Sequence, residues 1–227
     1  MPFPDLADRL KVIRQRIDSA LLRGGRDQTV AVVAVTKTHG PDAVAAAWDV
    51  GLHDVGENRI QDALPKMDAV SVPARWHLIG HLQRNKVKSL SRFDLFHALD
   101  SVRLADAVSE LGVAAERPVD ALVQVNVAGE ASKGGFTESE WADTARRLRE
   151  LAGLRIRGVM TMAPLAADER TLRGVFSGAR RARTILCEAG HPATELSMGM
   201  SNDYELAVEE GATFVRLGTV LFGARPA

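Results

Sequence analysis

The run VAVVAV at residues 30–35, closed by Thr36-Lys37-Thr38-His39, decides how the rest of the chain is read. Six apolar residues with no polar alternation leave no strand face suited to water, so the run predicts a strand covered on both sides, as in a parallel sheet flanked by helices. Seven further short runs downstream have the same character, at residues 53–55, 76–79, 94–99, 121–127, 156–162, 195–198 and 213–217. Helical segments or turns separate them, and the first helix opens after Pro41 and carries Ala43, Val44, Ala47 and Val50. Upstream, Leu6, Leu10, Ile13, Ile17, Ala20 and Leu21 recur at three- and four-residue steps until Gly24-Gly25 stops the pattern. That spacing predicts an N-terminal helix within residues 1–25, packed beside the main body. Eight strand units in 227 residues predict a single α/β domain over residues 1–227, a closed (β/α)8 barrel of the TIM type. A doubly wound open sheet is the alternative, because periodicity does not say whether the sheet closes.

Composition narrows the functional classes. With 29 Lys plus Arg against 29 Asp plus Glu, the chain lacks the basic field of a non-specific nucleic-acid binder. Cys187 is the one cysteine, which excludes an intramolecular disulfide and a multi-cysteine zinc site and agrees with a reducing compartment. Charges are interspersed through the first twenty residues, and no apolar run approaches the roughly 20 residues that span a bilayer. The expectation is a cytoplasmic protein with neither membrane nor nucleic acid as partner. His77 and His81 have the four-residue spacing of zinc ligands, but on a strand and its turn that spacing does not return to one face, so no metal site is expected.

In a barrel, chemistry belongs at the carboxyl ends of the strands, and polar residues collect there in this sequence. Lys37 ends the first strand, where partial desolvation would favour a neutral, nucleophilic amine of the kind that forms Schiff bases; a lysine reaching solvent or pairing with Glu57 is the plainer alternative. Gly218-Thr219 after the eighth strand, with Ser201-Asn202 after the seventh, form a candidate anion cup of small residues and free N–H groups. Ser201 could instead simply cap the helix containing Tyr204, Leu206 and Val208. Arg216, among Phe214, Val215 and Leu217, would need a partner if it points inward; Asp203 and Glu195 are the carboxylates to consider.

Taken in order, VAVTKTH at 33–39, GENRIQDALPK at 56–66, WHLIGHLQRNKVK at 76–88, QVNVAGEASKGGF at 124–136, GVMTM at 158–162, SMGMSNDYELA at 197–207 and VRLGTVLFGAR at 215–225 closely resemble the YggS/PROSC family of pyridoxal phosphate homeostasis proteins. The resemblance covers nearly the whole chain. It implies a single barrel of the alanine-racemase type (fold type III of pyridoxal 5'-phosphate, PLP, proteins) without the racemase's additional β-domain. By the same resemblance Lys37 would hold PLP as an internal aldimine, Asn58 would line the ring, Ser201, Gly218 and Thr219 would hold the phosphate, and Arg216 would face the pyridine nitrogen. Ser197 and Met198 would border the site. The phosphate is expected to be gripped from across the ring of strands from Lys37, and Lys133 is a candidate second amine.

An arginine at the ring nitrogen can only donate, which leaves that nitrogen unprotonated and weakens the ring as an electron sink. The leading reading is therefore a carrier or buffer of PLP acting in vitamin B6 and amino-acid homeostasis, with no robust catalytic residue assigned. Apo-enzymes that use PLP are its candidate partners, and a monomer is expected. A weakly active amino-acid racemase is the first alternative, although Tyr204, the one tyrosine, sits poorly for its general base. A barrel aldolase using Lys37 without PLP is the second.

Overall fold

The structure is a computed structural model that describes residues 3–130 and 134–223. Eight parallel strands close into a barrel in chain order: β1 (Ala31–Val35), β2 (Asp54–Glu57), β3 (Arg75–Leu78), β4 (Leu95–Leu99), β5 (Val119–Gln124), β6 (Leu154–Met160), β7 (Glu195–Ser197) and β8 (Phe214–Leu217). Closure is explicit in the register: β1 pairs with β8 through Val33 opposite Arg216 and Ala34 opposite Leu217. The open sheet is thereby excluded. Each strand lies where an apolar run predicts it, with ends displaced by up to three residues, as at β5, which ends at Gln124 rather than Val127.

Helices α2 (Pro41–Asp49), α3 (Ile60–Ala69), α4 (Val102–Ala114), α5 (Trp141–Arg149), α6 (Glu169–Glu188) and α7 (Tyr204–Glu209) follow β1, β2, β4, β5, β6 and β7, and the short α8 (Thr219–Phe222) follows β8. A 3-10 helix (Arg84–Arg92) takes the corresponding place after β3. Ahead of them all, α1 (Leu6–Gly24) buries Leu6, Leu10, Ile13, Ile17 and Ala20 and packs on α7. It ends where Gly25 turns left-handed (φ 59°) and returns its N–H to the carbonyls of Leu21 and Leu22. Its last turn is tied to α7 by Arg23, whose Nε donates to Glu209 at 2.6 Å, while Arg173 of α6 reaches the other oxygen of the same carboxylate at 2.6 Å.

Barrel interiors are usually filled by branched apolar side chains. Here the outward face of the strands is conventional, with Ala34, Val55, Leu78 and Leu196 in the apolar core. Inside, alternation brings Asp54, His77, His97, Ser197, Phe214 and Arg216 together, as their mutual hydrogen bonds and ring contacts record. Among the described residues no helix is long and apolar enough to cross a membrane.

Candidate functional site

Lys37 follows β1 by two residues, in the turn at the carboxyl end of that strand. The turn that carries it is held by the N–H of Thr36 on Gly56 O (3.2 Å) and of His39 on Thr36 O (3.0 Å), with Thr38 in the left-handed region (φ 72°). The rings of His39, Phe3 and Phe222 pack together at 5.2–5.4 Å between centroids, joining this turn to the start of the chain and to α8. Thr36 points outward to a buried ion pair: its hydroxyl donates to Glu57 Oε1 (2.5 Å), which also accepts from Lys66 Nζ (2.6 Å), and Lys66 Nζ donates to Thr36 O (2.8 Å). The cation that Glu57 binds is thus Lys66 of α3. Desolvation of a buried pair of this kind offsets much of its Coulombic gain, so removing one partner would cost more than the intact pair contributes.

Asn58 leaves β2 half-buried, and its backbone passes so close to Gly80 that no Cβ fits at residue 80. At the end of β7, Gly199 adopts φ 91°, and an added Cβ would meet the Ala207 methyl at 2.6 Å; only glycine makes this turn. Asp203 caps it by accepting the N–H of Met200 (2.5 Å). Ser201 is therefore released from helix capping, and its Oγ lies 3.5 Å from the N–H of Val220, at the start of α8. There Leu221 and Phe222 both donate to Gly218 O, so Thr219 and Val220 present the first amides of the helix. Gly218 has an ordinary φ of −119°, and a Cβ on it would make only normal contacts with Val35, nearest at 3.4 Å. Neither a positive φ nor the contacts of an added Cβ calls for glycine here.

Arg216 is 5% exposed, and its hydrogen-bond partners are neutral: Ser197 Oγ at 2.7 Å and the Thr161 carbonyl at 3.0 Å. Glu195 instead accepts from Thr213, and Asp203 acts on the guanidinium only through space. Burial, opposed by Asp203, pushes the arginine down to about 10, so it stays a cation at neutral pH. Two of a guanidinium's five N–H groups are thereby engaged. Behind it, Ser197 meets His97 Nδ1 (2.9 Å), His97 Nε2 meets His77 Nδ1 (2.8 Å), and His77 Nε2 meets Asp54 Oδ1 (3.0 Å). Burial holds His97 well below the ordinary histidine range, and the Arg216 cation lowers it further.

Lys37, Asn58, Ser201, Gly218 and Thr219 gather at the carboxyl ends of β1, β2, β7 and β8. β8 is the hydrogen-bonded neighbour of β1, so the candidate anion cup flanks the Lys37 turn and is not across the ring as the sequence reading expects; closure pairs the first strand with the last. Ser197 is fully buried beneath Arg216, and Met198, one residue on, belongs to the apolar core. Lys133 lies outside the described residues. His77 and His81 diverge: the former is inside the barrel, while the latter is exposed on Asp100 (2.9 Å). Tyr204 is buried between α7 and Arg16 of α1, on the outside of the barrel. A cavity of about 470 Å³ at the N-terminal end of the strands is lined by Arg14, His53, Asp54 and Arg75, away from the strand ends that carry Lys37.

Lys37, the Ser201–Gly218–Thr219 cluster and the buried Arg216 lie toward the carboxyl ends of a closed parallel barrel, and the fold is that of the alanine-racemase class. Residues 6–226 match the family described as alanine racemase, N-terminal domain. The chain is 39% identical to the pyridoxal phosphate homeostasis protein of Pseudomonas aeruginosa over 223 residues (97% of this chain, 96% of the relative), and 34% identical to that of Escherichia coli K12 over 230 residues (97% of each). PipY of Synechococcus elongatus PCC7942, solved with PLP bound, superposes with a TM-score of 0.85 at 33% identity, covering 96% of this chain and all of that one. The chain belongs to the pyridoxal phosphate homeostasis protein family. An alanine racemase of Corynebacterium glutamicum, at 17% identity and TM-score 0.71, shares the barrel alone.

Proposed function

We propose that this chain binds PLP at the carboxyl ends of β1, β2, β7 and β8, holds it as a Schiff base on Lys37, and serves as a carrier or buffer in vitamin B6 and amino-acid homeostasis. The observation that carries the reading is the juxtaposition, on paired strands, of the Lys37 turn with a cup whose glycine neither backbone nor packing explains. Bound PLP supplies an aldehyde that condenses reversibly with amines. The amides of Thr219 and Val220 with the Ser201 hydroxyl suit its phosphate, and the small Gly218 lets that phosphate approach the backbone. Asn58 lines the ring, and Met198 packs the turn behind it.

Arg216 faces the ring nitrogen and, as a donor that stays charged, keeps that nitrogen unprotonated. Retention of the cofactor is favoured over turnover at a substrate carbon. Tyr204, held on the outside of the barrel, offers no proton acceptor at the strand ends. The chain acts as a monomer in the cytoplasm, and PLP-dependent apo-enzymes are the recipients.

Reconstitution with PLP tests the reading. The expected result is an absorption band near about 420 nm that borohydride removes, with the reduced cofactor recovered by mass spectrometry on the Lys37 peptide. Absence of the band, or recovery on another lysine, would overturn the site. Rapid exchange of L- and D-alanine that vanishes in Lys37→Ala would replace the carrier by a racemase, and light scattering checks the monomer.

A further inference from the structure

Asp54, His77, His97 and Ser197 come from four strands, yet they form one hydrogen-bond chain through the barrel interior, from Arg216 near the carboxyl end to Asp54 at the amino end. Arg75, more than half exposed, closes the far end with two bonds to Asp54 at 2.7 and 2.6 Å. The direction of the chain follows from its termini. Arginine can only donate and an ionised carboxylate can only accept. Ser197 therefore accepts from Arg216 and donates to His97 Nδ1; His97 donates from Nε2 to His77 Nδ1, and His77 donates from Nε2 to Asp54.

Both imidazoles are neutral in this arrangement, and every bond points the same way between a cation and an anion, so each polarises the next. Adding a proton at His77 would turn an Nδ1–H of His97 onto Ser197 and leave the serine proton without an acceptor in a fully buried site. An interior filled with branched apolar residues would be simpler to build, and a polar network here leaves a penalty for any member left unpaired.

We propose that Asp54, His77, His97 and Ser197 are positioning residues, a relay that holds Arg216 against the cofactor ring and carries the state of the Asp54–Arg75 pair through the barrel to the cofactor end. The inference deepens the PLP reading above and rests on it.

Two measurements separate their failures. In the cofactor-free protein, nitrogen-15 NMR is expected to find His77 and His97 neutral at pH 7 with the proton on Nε2. Asp54→Asn then moves the signals of His97 and of the Arg216 guanidinium, neither of which Asp54 touches. In the PLP-loaded protein, Asp54→Asn and Ser197→Ala shift the visible absorption maximum in the same direction by several nanometres. His191→Gln, which alters a buried histidine outside the relay bonded to Ala145 O, leaves it in place. A purely structural role would lower thermal stability without moving the band.

A proton on Nδ1 of His97, a doubly protonated His77, or an unmoved band in both relay variants would overturn the relay. If Asp54→Asn does not fold, Ser197→Ala and His77→Gln decide the spectral arm. If the wild type takes up no PLP, the proposed function falls, and the NMR arm still decides whether the relay is formed.

Discussion

Glycines 199 and 218 look alike in the sequence and do opposite things. Gly199 serves the fold: its positive φ and the Ala207 methyl 2.6 Å from an added Cβ exclude any other residue. Gly218 is assigned to the proposed ligand, because a Cβ there meets only ordinary contacts from the protein. Gly218→Ala, combined with Ser201→Ala, is therefore expected to leave the unfolding free energy within about 0.5 kcal/mol of wild type while PLP is lost faster on dialysis. Retention equal to wild type would mean the anion cup is elsewhere. Lys37 and Arg216 were legible at this scale, since a charged residue in or just after an apolar strand stands out. The Thr36–Glu57–Lys66 cluster was not, because Lys66 reads as an ordinary helical lysine until α3 is laid against β1 and β2.

At the scale of elements, the β7–α7 connection holds the site together. Gly199 O accepts the backbone N–H of Arg216 (3.0 Å), Asp203 closes the turn on Met200, and Ser201 reaches α8, so one loop ties β7 to β8 and to the proposed anion cup. Gly199→Ala is expected to destabilise the protein by about 1–3 kcal/mol, from left-handed strain and overlap with Ala207. It should also weaken PLP retention, unlike a substitution on a remote loop. An unchanged denaturation midpoint would contradict the geometry of the turn. Existence and order of the strands were readable because each is buried on both faces. Their ends were less so, since the last pairs of a parallel ladder depend on where the neighbouring strand stops, and the 3-10 helix after β3 carried no period that marked it.

For the molecule as a whole, buried histidines set how stability responds to acid. Burial lowers His97 and His191 below the ordinary range. An unfolded chain would bind protons at these positions near pH 6.5 while the folded one does not. Stability is therefore fully present above about pH 6.5 and falls as pH drops below it, by up to about 1.4 kcal/mol per pH unit for each such histidine. A second loss follows below about pH 4. Burial would raise Asp54, but the hydrogen bonds of His77 and Arg75 outweigh it and hold the carboxyl well below its usual range. Urea denaturation between pH 8 and pH 5 should show the first loss, and His97→Gln should reduce its slope. Constant or rising stability toward pH 5 would contradict a neutral His97 inside the barrel.

By itself the sequence determined the elements and their order, and it marked Lys37, Asn58, Ser201, Arg216, Gly218 and Thr219 as candidates, because apolar runs, strand-end polarity and turn residues are local properties. Only the tertiary structure decided that the sheet closes, that the proposed anion cup is the neighbour of Lys37, and that Asp54, His77, His97, Ser197 and Arg216 meet. Each of those five is a polar residue at one position of a short strand, and nothing next to it in the sequence names its partner. Which of them touch depends on the register between strands and on ring closure, and those follow from packing the whole barrel.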